Sequence, residues 1–130
     1  MQWVFFVGDQ SLSFDCLLKM QFPGNIQIIR NREQLEIRWP DHDYVIFEPF
    51  SQAEMQLDFE PEEFEAYLRQ IPFSHPKWMM LKYNNIAVLS AILREPDFPA
   101  DVLIDCDGVN LGLDKILDPG RIIGTEMPKV

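Results

Sequence analysis

The chain has 130 residues and a formal net charge of −10 at pH 7, from 21 acidic and 11 basic residues. This length predicts a single domain over residues 1–130, with enough interior for a hydrophobic core. The acidic balance argues against nucleic acid and anionic membranes as partners, because both attract positive charge. Two cysteines, no apolar run long enough to span a bilayer and no signal-peptide pattern predict a cytoplasmic protein without a disulfide framework.

The first part of the chain predicts strands joined by short turns. Residues 2–7 (QWVFFV) are typical of a buried strand, and residues 11–21 fit a short helix or a second strand, with the helix favoured. Apolar patterns predict three more strands, at 26–29, 35–39 and 44–47. Their links are short enough only for hairpins, so these strands are expected to pair antiparallel.

The second part of the chain predicts mainly helices. Residues 48–58 read as irregular, and residues 59–71 read as an amphipathic helix with Asp58 as its N-cap. Since helices follow a run of strands, the fold class is predicted as α+β, a mainly antiparallel sheet of about five or six strands with two or three helices packed on one face. The other predicted elements are a strand at 78–83, a helix at 84–94 that is buried on nearly every side, a central strand at 102–104 and a short helix at 111–117.

Acidic residues are concentrated in one stretch, which we call the acidic window. Residues 41–66 contain nine acids and neither lysine nor arginine. Favourable interaction with a helix dipole accounts for acids in the first turn near residue 60, but not for those before the helix. The window therefore suits a docking surface for a basic protein partner, and a merely solvated acidic surface is the alternative. The acids are Asp41, Asp43, Glu48, Glu54, Asp58, Glu60, Glu62, Glu63 and Glu65, and the aromatic residues among them, which are candidate anchors, are Tyr44, Phe47, Phe50, Phe59, Phe64 and Tyr67.

Two sets of side chains resemble metal or catalytic sites in composition. The sequence Asp-His-Asp at 41–43 combines groups that bind metals, but three successive residues cannot all face one ion, and a preceding proline favours a hairpin turn. The second set is made up of the cysteines and histidines of the chain. No two of them have the spacing of zinc ligands, and the thiols are expected to pack as small apolar groups. No metal and no other cofactor is therefore expected. The set consists of Cys16, His42, His75 and Cys106.

One short motif suggests phosphotransfer chemistry. The run LIDCDGV at 103–109 resembles the opening motif of the haloacid dehalogenase-like phosphatases, an apolar strand followed by Asp-x-Asp-Gly. That resemblance implies Asp105 as the nucleophile and Asp107 as the acid/base, with Mg²⁺ held by their carboxylates. The later residues of the family pattern do not follow, because only 22 residues come after Gly108. A strand that ends in an Asp-Gly turn is the alternative explanation of this motif.

The sequence favours a small acidic, non-enzymatic protein-binding module. An immunity-type inhibitor of a basic partner, such as a nuclease toxin, is one concrete form of this hypothesis. Two alternatives stay open. One is a metal-assisted hydrolase or phosphatase that uses Asp105 and Asp107, and the other is a subunit of a larger assembly.

Overall fold

The computed structural model describes residues 2–99, 101–105 and 122–123. This part of the chain forms seven strands and four helices. The strands are β1 (Gln2–Gly8), β2 (Gln27–Arg30), β3 (Leu35–Arg38), β4 (Tyr44–Phe50), β5 (Lys77–Tyr83), β6 (Leu103–Asp105) and β7 (Ile122–Ile123). The helices are α1 (Phe14–Leu17), α2 (Gln52–Gln56), α3 (Pro61–Arg69) and α4 (Ile86–Leu93).

The strands form one sheet in the order β2-β3-β4-β5-β1-β6-β7. Every neighbouring pair is antiparallel except β6 with β7, which is parallel. The predicted α+β fold with a mainly antiparallel sheet is thus confirmed. The strand predicted as central, at 102–104, instead lies near the edge, because β1 occupies the interior of the sheet between β5 and β6.

The hairpins of β2, β3 and β4 follow from their alternating side chains. Leu35 and Ile37 of β3 are buried and pair with the equally buried Phe47 and Val45 of β4. Residues at successive positions of a strand point to opposite faces, so the residues between them face the other side of the sheet. One-residue slippage would expose all four apolar side chains, and this fixes the register.

Helices cover both faces of the sheet, whereas the sequence predicted helices on one face only. One core cluster joins Val4 of β1 to Leu17 of α1 and Leu89 of α4. The second joins Val7 of β1 to residues of α2 and α3, such as Met55. The reason lies in β1, whose run of successive apolar residues presents an apolar surface to each side.

The segment at 48–58, predicted as irregular, is ordered. β4 continues through Pro49 to Phe50, and α2 follows. Proline is tolerated there because β3 pairs with β4 only as far as Phe47, so Pro49 has a neighbouring strand on one side alone. Helix α2 begins at a capping box, in which Ser51 Oγ accepts the N–H of Glu54 and the Glu54 carboxylate accepts the N–H of Ser51.

The predicted N-cap of α3 is wrong. The N–H of Asp58 bonds to the carbonyl of Met55, so Asp58 closes the turn after α2. The N-cap is Glu60, and Pro61 occupies the first turn, where its missing N–H costs nothing.

Helix α4 is buried on one side only, although its almost wholly apolar sequence predicted burial on nearly every side. Leu89, Ile92 and Leu93 pack into the core, whereas Ile86, Ala87 and Ala91 are exposed. Since the helix lies on a sheet, only the side facing the sheet is covered. The helix predicted at 111–117 lies outside the described residues.

Candidate functional site

The α2–α3 layer is fixed to the sheet by an aromatic cluster. The ring of Phe59 stacks on Tyr67 at 4.9 Å and contacts Phe64 at 5.4 Å. The indole Nε1 of Trp78 in β5 donates a buried hydrogen bond of 3.2 Å to the Tyr67 hydroxyl. Buried polar pairs of this kind add direction to apolar packing, so the two helices are held in a defined position.

Six acids of the acidic window are exposed on α2, on α3 or in the turn between them. Because Phe64 and Tyr67 point into the core, the intervening residues of α3 face solvent. In the described chain, Arg69 is the only basic side chain in salt-bridge contact with any of the six, with Nη2 3.7 Å from Glu65 Oε2. That exposed pair contributes little stability. We call these six acids the acidic helical surface: Glu54, Asp58, Glu60, Glu62, Glu63 and Glu65, all exposed.

Leu57 stands within the acidic helical surface. It is the C-cap of α2 and 84% exposed, with Asp58 beside it and Glu54 one turn earlier. The aromatic residues that the sequence offered as anchors are not exposed: Phe47, Phe64 and Tyr67 are buried, and Tyr44, Phe50 and Phe59 are half-buried. The large apolar side chain that is fully exposed on this surface is therefore Leu57, which the sequence analysis did not identify.

Asp41 and Asp43 lie far from the other acids. They precede β4, whereas α2 follows it, and a strand of seven residues spans about 20 Å. Asp43 Oδ2 accepts a 3.1 Å bond from Asn85 Nδ2, at the N-terminal end of α4. Asp43 therefore adjoins α4, and neither of the two acids extends the acidic helical surface.

Glu48 is neutralised within the sheet. Its carboxylate lies 3.3 Å from the Nζ of Lys82 on β5, and it also accepts a bond from the Gln34 amide. About a fifth of each charged side chain is exposed, 21% for Glu48 and 23% for Lys82. Of the nine acids predicted to bind a partner, six are thus exposed on the α2–α3 layer and three lie elsewhere.

The Asp-His-Asp sequence forms the predicted hairpin turn. The N–H of Asp43 bonds to Oδ1 of Asp41 at 3.2 Å, and the N–H of His42 bonds to the carbonyl of Trp39 at 3.1 Å. His42 has φ of 73°, in the left-handed region that turns use. Its neighbours therefore serve the turn through their backbone and side-chain oxygens.

The candidate metal and catalytic residues that the structure describes do not come together. Among the described residues, no three His, Cys, Asp or Glu side chains are grouped so that they could hold a metal ion. Cys16 lies half-buried in α1, and His75 is exposed between α3 and β5. Asp105 ends β6, whereas Cys106 and Asp107 lie outside the described residues. The hydroxyl and N–H of Ser11 bond to Asp9 and lower the pKa of that carboxyl, which is a local turn interaction.

Comparison with known proteins gives no family. No family model matches the chain, and no curated protein and no solved structure matches it either. Within the described residues, no helix combines the length and the apolar character needed to cross a bilayer. Functional interpretation therefore depends on the surfaces of this chain.

Proposed function

We propose that this protein is a non-enzymatic binding module that captures a basic protein through the acidic helical surface. The supporting observation is the combination of six exposed acids with the exposed Leu57 on one helical layer. A central apolar contact surrounded by polar groups is the usual anatomy of a protein interface. An immunity-type inhibitor of a nuclease toxin is the concrete form we favour, since nucleases carry positive charge to bind their substrate.

The two kinds of group would contribute differently. Exposed acids, of which Glu65 alone has a salt-bridge partner in the described residues, raise the rate of encounter with a cationic surface. This contribution weakens as salt screens the charges. Leu57 would lose its contact with water in the complex and slow dissociation. Because the aromatic cluster already fixes the helices, little conformational order has to be gained on binding.

The first experiment reverses charge on the surface. The triple variant Asp58→Lys, Glu62→Lys and Glu63→Lys leaves the capping box of α2 and the pair of Glu65 with Arg69 in place. Its matched control is Glu33→Lys, Asp97→Lys and Asp101→Lys, which changes the net charge equally at exposed sites elsewhere. Binding to purified basic nucleases is measured by calorimetry at low and moderate salt, with thermal unfolding as the check on folding.

We expect the surface triple to weaken binding at least about tenfold, equivalent to about 1.4 kcal/mol, and the control triple to weaken it far less. Leu57→Ser should also weaken binding, while leaving its salt dependence unchanged. Equal losses in both triple variants would mean that only the overall charge matters, and the proposal would fail. In the inhibitor form, the nuclease activity of the bound partner falls in proportion to the complex formed.

A further inference from the structure

A cleft of about 360 Å³ lies on the other face of the sheet, between α4 and the β3–β4 turn. We call it the α4 cleft. Its apolar walls include Phe22, Trp39, Val88, Ala91 and Ile92. The volume is in the range of known ligand pockets, and mostly apolar walls are typical of them.

The wall of the cleft opposite α4 is held in place by contacts within the protein. The indole Nε1 of Trp39 donates a 2.8 Å bond to the carbonyl of Pro23, and the Phe22 ring meets the Trp39 ring edge to face at 6.2 Å. The N–H of Trp39 bonds to the carbonyl of Asp43 at 2.9 Å, which ties the turn to the same wall. A pocket with fixed walls binds without the cost of ordering side chains.

The exposed side of α4 continues the apolar surface of the cleft. Its sequence, IAVLSAIL, contains no charged residue, and Ile86 is 42% exposed. Ala87 and Ala91 both line the cleft and are exposed one turn apart, so their small side chains let another backbone approach the helix closely. The apolar surface therefore reaches beyond the cleft at Ile86, which favours a long peptide segment over a small compact molecule.

The charge at the cleft is negative. Asp43 and Glu95 both line it, and no lysine or arginine does so among the described residues. Glu95 follows the C-terminal end of α4, where the helix dipole favours a cation, so its position does not stabilise the helix. Arg94, its neighbour, caps α4 outside the cleft. A ligand with an apolar part and a positive charge could contact the apolar walls and pair with Asp43 or Glu95.

We propose that the α4 cleft docks a basic amphipathic segment of a protein, which inserts an apolar side chain between Trp39 and Ala91 and places lysine or arginine against Asp43 and Glu95. This goes beyond the function proposed above, because α4 and the α2–α3 layer belong to core clusters on opposite faces of the sheet. The chain would thus carry two separate docking surfaces for positively charged protein.

The probe is a synthetic helical peptide of leucine and lysine with amphipathic spacing. Three further ligands separate the contributions: the peptide with leucine replaced by serine, the peptide with lysine replaced by glutamate, and n-hexylamine. Binding to the full chain is followed by calorimetry and by amide shifts in ¹H–¹⁵N spectra. The expected shifts are confined to residues around 39–43 and 85–95, and both altered peptides should bind at least about tenfold more weakly.

Variants assign the site. Ala91→Arg fills the cleft from an exposed position and should reduce binding at least about tenfold, and Asp43→Asn with Glu95→Gln should remove most of the salt dependence. Thermal unfolding confirms that each variant is folded. The Asp58, Glu62 and Glu63 triple reversal should weaken this binding far less than Ala91→Arg does, so the present proposal and the function proposed above can fail independently.

Several results would overturn the proposal. Equal binding of the serine peptide would show that charge alone acts, and tighter binding of n-hexylamine would assign the cleft to a small amine. A dimer in sedimentation velocity that Ala91→Arg dissociates would assign it to a second copy of the chain. Shifts confined to α2 and α3 would place the peptide on the other face.

Discussion

Two tyrosines that are equally buried have different polar surroundings. Tyr83 is 0% exposed, and its hydroxyl has no hydrogen-bond partner in the described part of the chain. Tyr67 is 1% exposed, and its hydroxyl accepts the bond from Trp78 Nε1 at 3.2 Å. We therefore expect the same replacement, tyrosine by phenylalanine, to have opposite effects on stability at the two positions.

The magnitudes follow from hydrogen-bond energetics. A buried, unsatisfied polar group costs about 1–3 kcal/mol, so Tyr83→Phe removes a cost and should raise the free energy of unfolding by about 1 kcal/mol. Tyr67→Phe leaves the indole N–H of Trp78 without this acceptor and should lower it by about 1–2 kcal/mol. At about 2.1 cal/mol/K per residue, the unfolding entropy is about 0.27 kcal/mol/K, so 1 kcal/mol shifts Tm by about 4 °C.

The effect of Tyr83→Phe should depend on pH in the alkaline range. Burial raises the pKa of the Tyr83 hydroxyl in the folded protein. Above about pH 10 the unfolded chain releases this proton while the folded chain retains it, so the wild type loses stability as the pH rises. Tyr83→Phe lacks the group, and its advantage over the wild type should therefore grow above that pH.

Urea unfolding followed by circular dichroism, at pH 7 and at several values from 9 to about 10.5, measures both variants. Opposite signs at pH 7 are the expected result. If Tyr83→Phe is destabilised as much as Tyr67→Phe, then the Tyr83 hydroxyl has a partner of equal strength, and the reasoning is refuted. A constant difference between Tyr83→Phe and wild type across the alkaline range would refute the pKa argument alone.

Two other substitutions test a helix cap and a close contact in the core. Ser51→Ala removes the oxygen that accepts the N–H of Glu54 at 3.1 Å, and urea unfolding should show a loss of about 1 kcal/mol; no loss would mean that the capping box does not hold α2. Gly8→Ala places a Cβ 3.2 Å from side-chain atoms of Leu12 and Val102, both buried, so Tm should fall by an amount equivalent to about 1 kcal/mol, and an unchanged Tm would show that these neighbours yield freely.

The sheet could be predicted because its signals are local. Alternation in β3 and β4 reports which side chains face the core, and the short links between strands leave only hairpin pairing. Helix α2 also has a local signal, because Ser51 and Glu54 have the spacing of a capping box. Pro49 nevertheless predicts an irregular segment, and proline is compatible with β4 only because β3 ends earlier.

Exposure on the helices could not be predicted in the same way. The residues of α4 are apolar on nearly all sides of the helix. Whether another layer covers the outer side of the helix depends on the rest of the fold and not on this sequence. Leu57 is a similar case, because a single leucine at the end of a short helix is as compatible with burial as with 84% exposure. The apolar parts of both proposed surfaces therefore became visible only with the tertiary structure.

The acidic window illustrates how chain geometry divides a pattern that is continuous in sequence. β4 runs through the window, and its length of about 20 Å separates Asp43 from the acids that begin at Glu54. That distance is at least twice the screening length at physiological salt, so the two groups do not act on a partner as one field. Each group instead lies beside its own exposed apolar residues, which are Leu57 in one case and the outer side of α4 in the other. One docking surface predicted from charge thus becomes two candidate surfaces on opposite faces of the sheet, and a variant on one face serves as the control for the other.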